Sequence, residues 1–443
     1  MTYSKIDPAS HDTVSSVLDL LKPPETITSV LDTGDRDVNP IGEVNSPQLE
    51  FEFRTSSFKY WNVEKTRLLI QGKVVLADGS NLADADTCTI TPTTNLLHSF
   101  IQSITLSIDG ADASHEANYP YAAYLETLIS RSAGYKRTIS ETSLWIEDDA
   151  GRIDRADITN AHTKALKRRK EIISGSRTFE VCDNLHIPFL HQERYGLCNS
   201  TVKIQLNRSS DKFCLLSTDG ADNNDYKVVI TRAVLIINEV DVNPSIINAH
   251  SALMAAGKTA MYPLNQVETQ MFTISAGKLS DRIVIKTNQQ LPKRITFAFV
   301  DHEAKNGSLT KDPFKFQHFD VKRMSLDVDG RPFPHKPLET NFPDGLCAQA
   351  YFNLAMATGR LYGDVSHGIT MKQFKNGYTL FMFDLTPDGC HGAGVHLIKH
   401  GSLTLDVTFG TALPNTVSLF AYLERDELIQ IDNARVLTKL PRI

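Results

Sequence analysis

Two stretches far apart in the chain, SITLSIDG (103–110) and RMSLDVDG (323–330), alternate apolar and polar residues and end in Asp-Gly. Strand side chains point to opposite faces in turn, so strict alternation marks a strand with one buried face. Asp-Gly directly after such a run is the chemistry of a tight hairpin turn. The same period recurs in LEFEF (49–53), VKIQLN (202–207), KRITFAFVD (293–301) and SLTLDVTFG (402–410). TRLLIQGKVVLADG (66–79), KVVITRAVLIINEV (227–240) and TVSLFAYLE (416–424) are fuller apolar runs, as expected of strands in a sandwich interior.

Helical spacing is rare. YPYAAYLETLIS (119–130) sets Tyr121, Tyr124, Leu125, Leu128 and Ile129 on one stripe behind Pro120. PSIINAHSALMAAG (244–257) is bracketed by Pro and Gly and predicts a connector helix just past the chain's midpoint. The order strand, Asp-Gly turn, helix, strands occurs once per half. AYLETL begins at Ala123 and AYFNLAMA at Ala350; VKIQL matches LTLDV; each half ends on a long apolar strand. These matches predict an all-β chain of two copies of one β-sandwich in tandem. The expected boundaries are an N-terminal arm at 1–44, a first sandwich at 45–243, a helical connector at 244–262 and a second sandwich at 263–443. The arm is expected to be poor in core residues, because VSSVLDLLK halts at Pro23-Pro24 and turn-rich, acidic sequence follows.

At 443 residues the chain can bury two cores without staples. A net charge of -6 argues against coating nucleic acid as a main task. No apolar run reaches the length of a membrane span, and MTYSKIDPASHD carries no hydrophobic signal core, so synthesis in the cytosol is expected. Cys88, Cys182, Cys198, Cys214, Cys347 and Cys390 include no C-x-x-C pair and are expected to be free thiols. The sequons at Asn199, Asn207 and Asn306 are then expected to be chance matches.

No nucleophile elbow, phosphate loop or H-E-x-x-H motif is present. GCHGAG (389–394) lacks the dinucleotide-binding spacing. CHGAGVHLIKH gathers Cys390, His391, His396 and His400, four potential ligands; a loop leading into a strand would face them in different directions. EDDAGRID (147–154) and DGADNND (219–225) offer oxygens for calcium without the loop pattern that ends in Glu, and solvated turns are expected. KALKRRK (164–170) is the strongest basic cluster; it could contact nucleic acid or an acidic partner, and a solvated face or a salt bridge to another subunit is the expectation. The adjacent His302 and Glu303 carry no catalytic message by themselves. The expectation is therefore no enzyme, no catalytic residue, no cofactor and no metal.

Eight stretches together resemble the double jelly-roll major capsid protein of the Maverick/Polinton elements and adintovirus-like viruses. They are VLDLLKPPETITSV, NLLHSFIQSITLSIDG, YPYAAYLETL, HIPFLHQERYGL, PSIINAHSALMAAGKTAMYPLN, LPKRITFAFVDHEAKNGSLTKDPFKFQHFD, NGYTLFMFDLTPD and LPNTVSLFAYLE. The stretches run in one order from residue 17 to residue 424. It implies two tandem jelly rolls standing normal to a shell, and a homotrimer that forms a pseudo-hexameric capsomer of an icosahedral virion. It implies as partners neighbouring capsomers, a single jelly-roll penton protein, minor or cement proteins and an internal membrane. It implies no enzyme activity and no specific nucleic-acid recognition. A lectin-like binding module and a tandem jelly-roll enzyme are the alternatives that fold alone leaves open.

Overall fold

The computed structural model describes residues 20, 26–85, 87–154, 164–217, 226–287, 290–361, 364–386 and 397–441. In the first half, the strands are β1 (Val30–Val38), β2 (Gln48–Arg54), β3 (Lys59–Leu76), β4 (Ile90–Pro92), β5 (Ile101–Ile108), β6 (Ala111–Glu116), β7 (Phe179–Asn184), β8 (Thr201–Arg208), β9 (Leu215–Ser217) and β10 (Tyr226–Val242). The second half holds β11 (Ala260–Ile274), β12 (Ser280–Ile285), β13 (Arg294–Asp301), β14 (Val321–Val328), β15 (Arg331–Glu339), β16 (Phe381–Asp384), β17 (Leu403–Phe409), β18 (Val417–Ile431) and β19 (Leu437–Pro441).

Strand order makes each half a jelly roll. The first packs the sheet β1-β10-β3-β7 on β2-β8-β5-β6, and the second packs β11-β18-β13-β16 on β12-β17-β14-β15. With the short β4–β9 ladder and the added β19 set aside, the two orders are the same when each half is counted from its first strand. No sheet mixes strands of the two halves among the described residues. The helix Tyr119–Ser130 lies between β6 and β7, and the helix Ala348–Ala357 lies between β15 and β16, so the helical matches in the sequence are equivalent connections.

The two Asp-Gly runs are the same strand of each roll. Asp109 and Gly110 have φ of 50° and 85°, and Asp329 and Gly330 have 51° and 77°. Positive φ at both central residues is the mirror-image turn that matches strand twist, and Gly enters it at no steric cost. The closing pairs are Ile108 with Ala111 and Val328 with Arg331. Both strands slip register against their other neighbour at the same place, between Ile101 and Ser103 and between Val321 and Arg323. Each aspartate also grips the next strand. Asp109 Oδ1 accepts from Thr201 N at 2.7 Å, and Asp329 Oδ1 accepts from Ser402 N at 2.7 Å.

Ile104, Leu106 and Ile108 are buried together, as are Met324 and Leu326. Val328 departs from the expected pattern. It is half-buried, because it borders a cleft with Arg331, Phe333 and Lys399.

The expected arm at 1–44 ends earlier. Val30–Val38 forms β1, paired with β10 along its length. Its side chains are nearly all exposed, so apolar content gave no warning. Backbone hydrogen bonds and cross-strand ion pairs hold it instead: Asp35 with Arg67 at 2.7 Å and Arg36 with Glu239 at 3.1 Å. The connector helix, Pro244–Ala255, is capped by Asn243, whose side chain accepts from Ser245 N. The expected connector at 244–262 likewise ends earlier, because β11 begins at Ala260.

Equivalent strands predict equivalent costs. Leu106→Ala and Leu326→Ala should each lose about 2–5 kcal/mol in urea unfolding. Asp109→Ala and Asp329→Ala should each lose about 0.5–1.5 kcal/mol through the lost strand tie. A marked loss in one half and none in the other would show that the matched positions are not equivalent.

Candidate functional site

The halves meet where the first half's helix Tyr119–Ser130 lies on β11 and β18 of the second. Its apolar stripe is the reason. Tyr121 stacks on Phe420 at 3.8 Å, and Tyr124 stacks on Phe314 at 4.4 Å with the rings 8° from parallel. Trp145 and Phe213 close the group from the first half, Phe316 from the second. Offset aromatic pairs add about 0.5–1.5 kcal/mol each beyond the area they bury.

Buried polar groups fix how the surfaces register. Glu116 Oε2 accepts from Thr269 N at 3.0 Å, and Asn118 Nδ2 donates to Thr269 O at 2.9 Å. Burial pushes the Glu116 carboxyl up to about 7. Tyr378 Oη donates to Asp148 O at 3.1 Å, and Lys315 meets Asp154 at 2.8 Å. Lys136 is buried and donates to His367 O at 2.5 Å; desolvation lowers its amine to about 8.

The basic run and the first acidic loop meet here. Arg169 is fully buried, and its Nη2 lies 2.9 Å from Asp148 Oδ1. Arg169 Nη1 also donates to Ile146 O at 2.8 Å. Asp312 of the second half is buried close by, with Oδ1 accepting from Phe314 N at 2.7 Å and Oδ2 without a protein partner. Arg169 pairs with Asp148 and acts on Asp312 only through its field. Burial, reinforced by Asp148, pushes Asp312 up to about 7. Lys170 is buried too, whereas Lys164, Lys167 and Arg168 are the exposed cations of the run, Arg168 pairing with Glu141. The solvated face expected for KALKRRK is therefore only half present. The solvated turn expected at 147–154 is corrected too: Tyr378 reaches the Asp148 carbonyl, Lys315 pairs with Asp154 and Gln373 donates to Glu147, so the loop stitches the halves.

Behind the same helix is a histidine cluster that spacing along the chain did not reveal. Glu126 Oε2 lies 3.0 Å from His186 Nδ1, and Oε1 lies 3.0 Å from His191 Nδ1. His98 Nδ1 bonds Tyr119 Oη at 2.9 Å, and its Nε2 lies 3.5 Å from Asp183. His98 and His186 meet edge to face at 4.6 Å. Burial works to raise the Glu126 carboxyl, but His191 and His186 outweigh it and hold it well below its usual range. Burial works to lower His191, and Glu126 outweighs it and raises it. Asp183 is held down at about 2, since His98 and His186 overcome the effect of burial. The cluster opens on a cleft of about 490 Å³ whose far wall is Pro263, Leu264, Asn265 and the pair Arg294–Glu424 of the second half.

His186 and His191 lie in HIPFLHQERYGL, one of the stretches carrying the family resemblance, yet their partner Glu126 comes from a helix 60 positions earlier. Of the ligand group weighed in the sequence, Cys390, His391 and His396 lie outside the described residues, and His400 borders a cleft of the second half with Lys399 and Asp329. DGADNND (219–225) and GCHGAG (389–394) also lie outside them. Cys88, Cys198, Cys214 and Cys347 are buried free thiols, and Cys182 is a half-buried one. His302 Nδ1 lies 2.9 Å from Ser418 Oγ, and Glu303 pairs with Lys311.

No family model matches the chain. An uncharacterized protein of Caenorhabditis elegans is 24% identical over 395 residues, 87% of this chain and 91% of that protein. Among solved structures, a chain of the Sputnik virophage aligns with TM-score 0.65 at 10% identity, over 100% of this chain and 95% of its own. The mavirus major capsid protein aligns at 0.54 and 13% identity, over 100% and 97%. The Faustovirus major capsid protein aligns at 0.53 and 8%, over 92% of each chain. The shared property at such identities is the fold, the double jelly roll. No helix among the described residues is long and apolar enough to cross a membrane.

Arg169→Ala should cost about 3–5 kcal/mol in chemical denaturation, because it strands a buried carboxylate. Asp312 gives a pH test. Its folded pKa of about 7 exceeds the ordinary carboxylate value, so the folded chain holds a proton the unfolded chain has released. Its contribution is full below pH of about 4 and is lost as pH rises through about 7. Asp312→Asn should therefore gain stability relative to wild type across that window. A constant difference between the two proteins would refute the assignment.

Proposed function

We propose that this chain is the major capsid protein of an icosahedral virion, of the kind found in Maverick/Polinton elements and adintovirus-like viruses. The observation that carries the proposal is a complete pair of jelly rolls, matched over the whole chain by a virophage chain and by named major capsid proteins. Two identical strand orders in one chain supply two similar wall elements. Three chains then supply six, which is the count a pseudo-hexagonal capsomer needs. The proposed units are an arm ahead of β1, a first roll over 30–242, the connector helix and a second roll over 260–441.

The proposed partners are two further copies of the chain, neighbouring capsomers and a single jelly-roll penton protein, with minor proteins or a membrane beneath the shell. The role is structural and not enzymatic. The acidic net charge of -6 fits a wall better than a nucleic-acid coat.

Purified protein is expected to sediment as three chains of 49.3 kDa each and to show hexagonal outlines by electron microscopy. Deleting residues 1–25, ahead of the first strand, should leave that particle intact and abolish closed shells. A stable monomer that forms no particle at any concentration would sink the capsid assignment. Loss of folding on deletion would sink the role given to the arm.

A further inference from the structure

We propose that Glu126, His186 and His191 form a binding site for one zinc-class divalent metal ion at the seam between the jelly rolls. Their ligand atoms, one carboxylate oxygen and two imidazole Nδ1 nitrogens, all lie within 4.8 Å of one another. His186 Nδ1 lies 3.0 Å from Glu126 Oε2 and His191 Nδ1 lies 3.0 Å from Glu126 Oε1, so each carboxylate oxygen serves one ring. Ligands at about 2.0–2.2 Å from a tetrahedral zinc stand about 3.3–3.5 Å apart, so small side-chain movements would bring the three onto one ion. Two nitrogens and one oxygen suit zinc, cobalt or copper. Calcium and magnesium prefer all-oxygen sets.

The support around the ligands is of the kind metal sites use. His186 is buried, its backbone N–H donates to Tyr119 Oη at 3.1 Å, and Tyr119 Oη also bonds His98. His98 in turn faces Asp183, so a polar chain fixes the wall against which the His186 ring packs. His191 makes a further hydrogen bond to the Leu185 backbone. Such outer partners orient ligands before the ion arrives. Glu126 and His191 border the cleft, which leaves a fourth position for water or for a group brought by another molecule. Three protein ligands with one open place is the pattern of an exchangeable site, not of a closed structural one.

The ion would join the helix Tyr119–Ser130, which packs on the second half, to the loop carrying His186 and His191 that leads into β8. It would thereby clamp that helix to that loop, within the first roll, in place of a carboxylate bridging two imidazoles. The proposal departs from the expectation of no metal, which rested on ligand spacing along the chain. It stands independently of the capsid assignment.

The test uses full-length protein stripped with chelator, then exposed separately to zinc, cobalt(II) and magnesium. One equivalent of zinc per chain is expected by elemental analysis after desalting, with a raised Tm and no response to magnesium. Cobalt should give the visible absorption of a four-coordinate nitrogen–oxygen site. His191→Ala, at the rim, should lose the equivalent and the Tm response and remain folded. Glu126→Gln should weaken zinc binding at least tenfold. His400→Ala should change nothing. Absence of a bound equivalent in wild type would overturn the proposal, as would full retention in both His191→Ala and His186→Ala. If His186→Ala does not fold, retention in His191→Ala together with an unaltered cobalt spectrum is the overturning result.

Discussion

One sheet of the second jelly roll cannot face water on either side. Every residue of β13 from Ile295 to Val300 is buried, and so is every residue of β18 from Val417 to Arg425. One face of that sheet packs on its partner sheet, as in any sandwich. The other must be covered by something else, and the cover is the first half's helix Tyr119–Ser130 with its tyrosines on Phe420 and Phe314. The hydrophobic effect thus makes the two rolls one body. A single contiguous apolar core runs through both.

Polar contacts add direction to that apolar attraction. An aromatic surface can slide; a buried carboxylate that must meet one backbone N–H cannot. Glu116 and Asn118 of the first half clasp the Thr269 backbone of the second. Burying such charge stabilises little in net terms, since desolvation offsets most of the attraction, but misalignment leaves it unpaired at several kcal/mol. The same principle operates within each roll. Asp109 and Asp329 terminate a hairpin and hold Thr201, the first residue of β8, and Ser402, just ahead of β17, so one side chain sets both a turn and a neighbouring register.

The histidine cluster sits where this seam meets solvent. Glu126 faces away from the aromatic stack on a helix whose other side chains serve the core. The same element therefore joins the halves and presents a charged group to the loop that carries His186 and His191.

Much of the fold was legible in the sequence because strand alternation and Asp-Gly turns are local. Period two and two adjacent positive-φ residues need no distant partner, so SITLSIDG and RMSLDVDG announced equivalent hairpins across 220 positions. β1 was not legible, because its exposed, acidic side chains carry no period, and what holds it is the backbone edge of β10. Nor was the fate of KALKRRK, whose arginine at 169 turns inward only because Asp148 and Asp312 wait there. The sequence by itself determined the alternating strands, their Asp-Gly turns and their occurrence in two copies. Tertiary structure alone decided which charges are buried and which histidines share a carboxylate. Those depend on contacts between residues tens to hundreds of positions apart, and no local pattern encodes them.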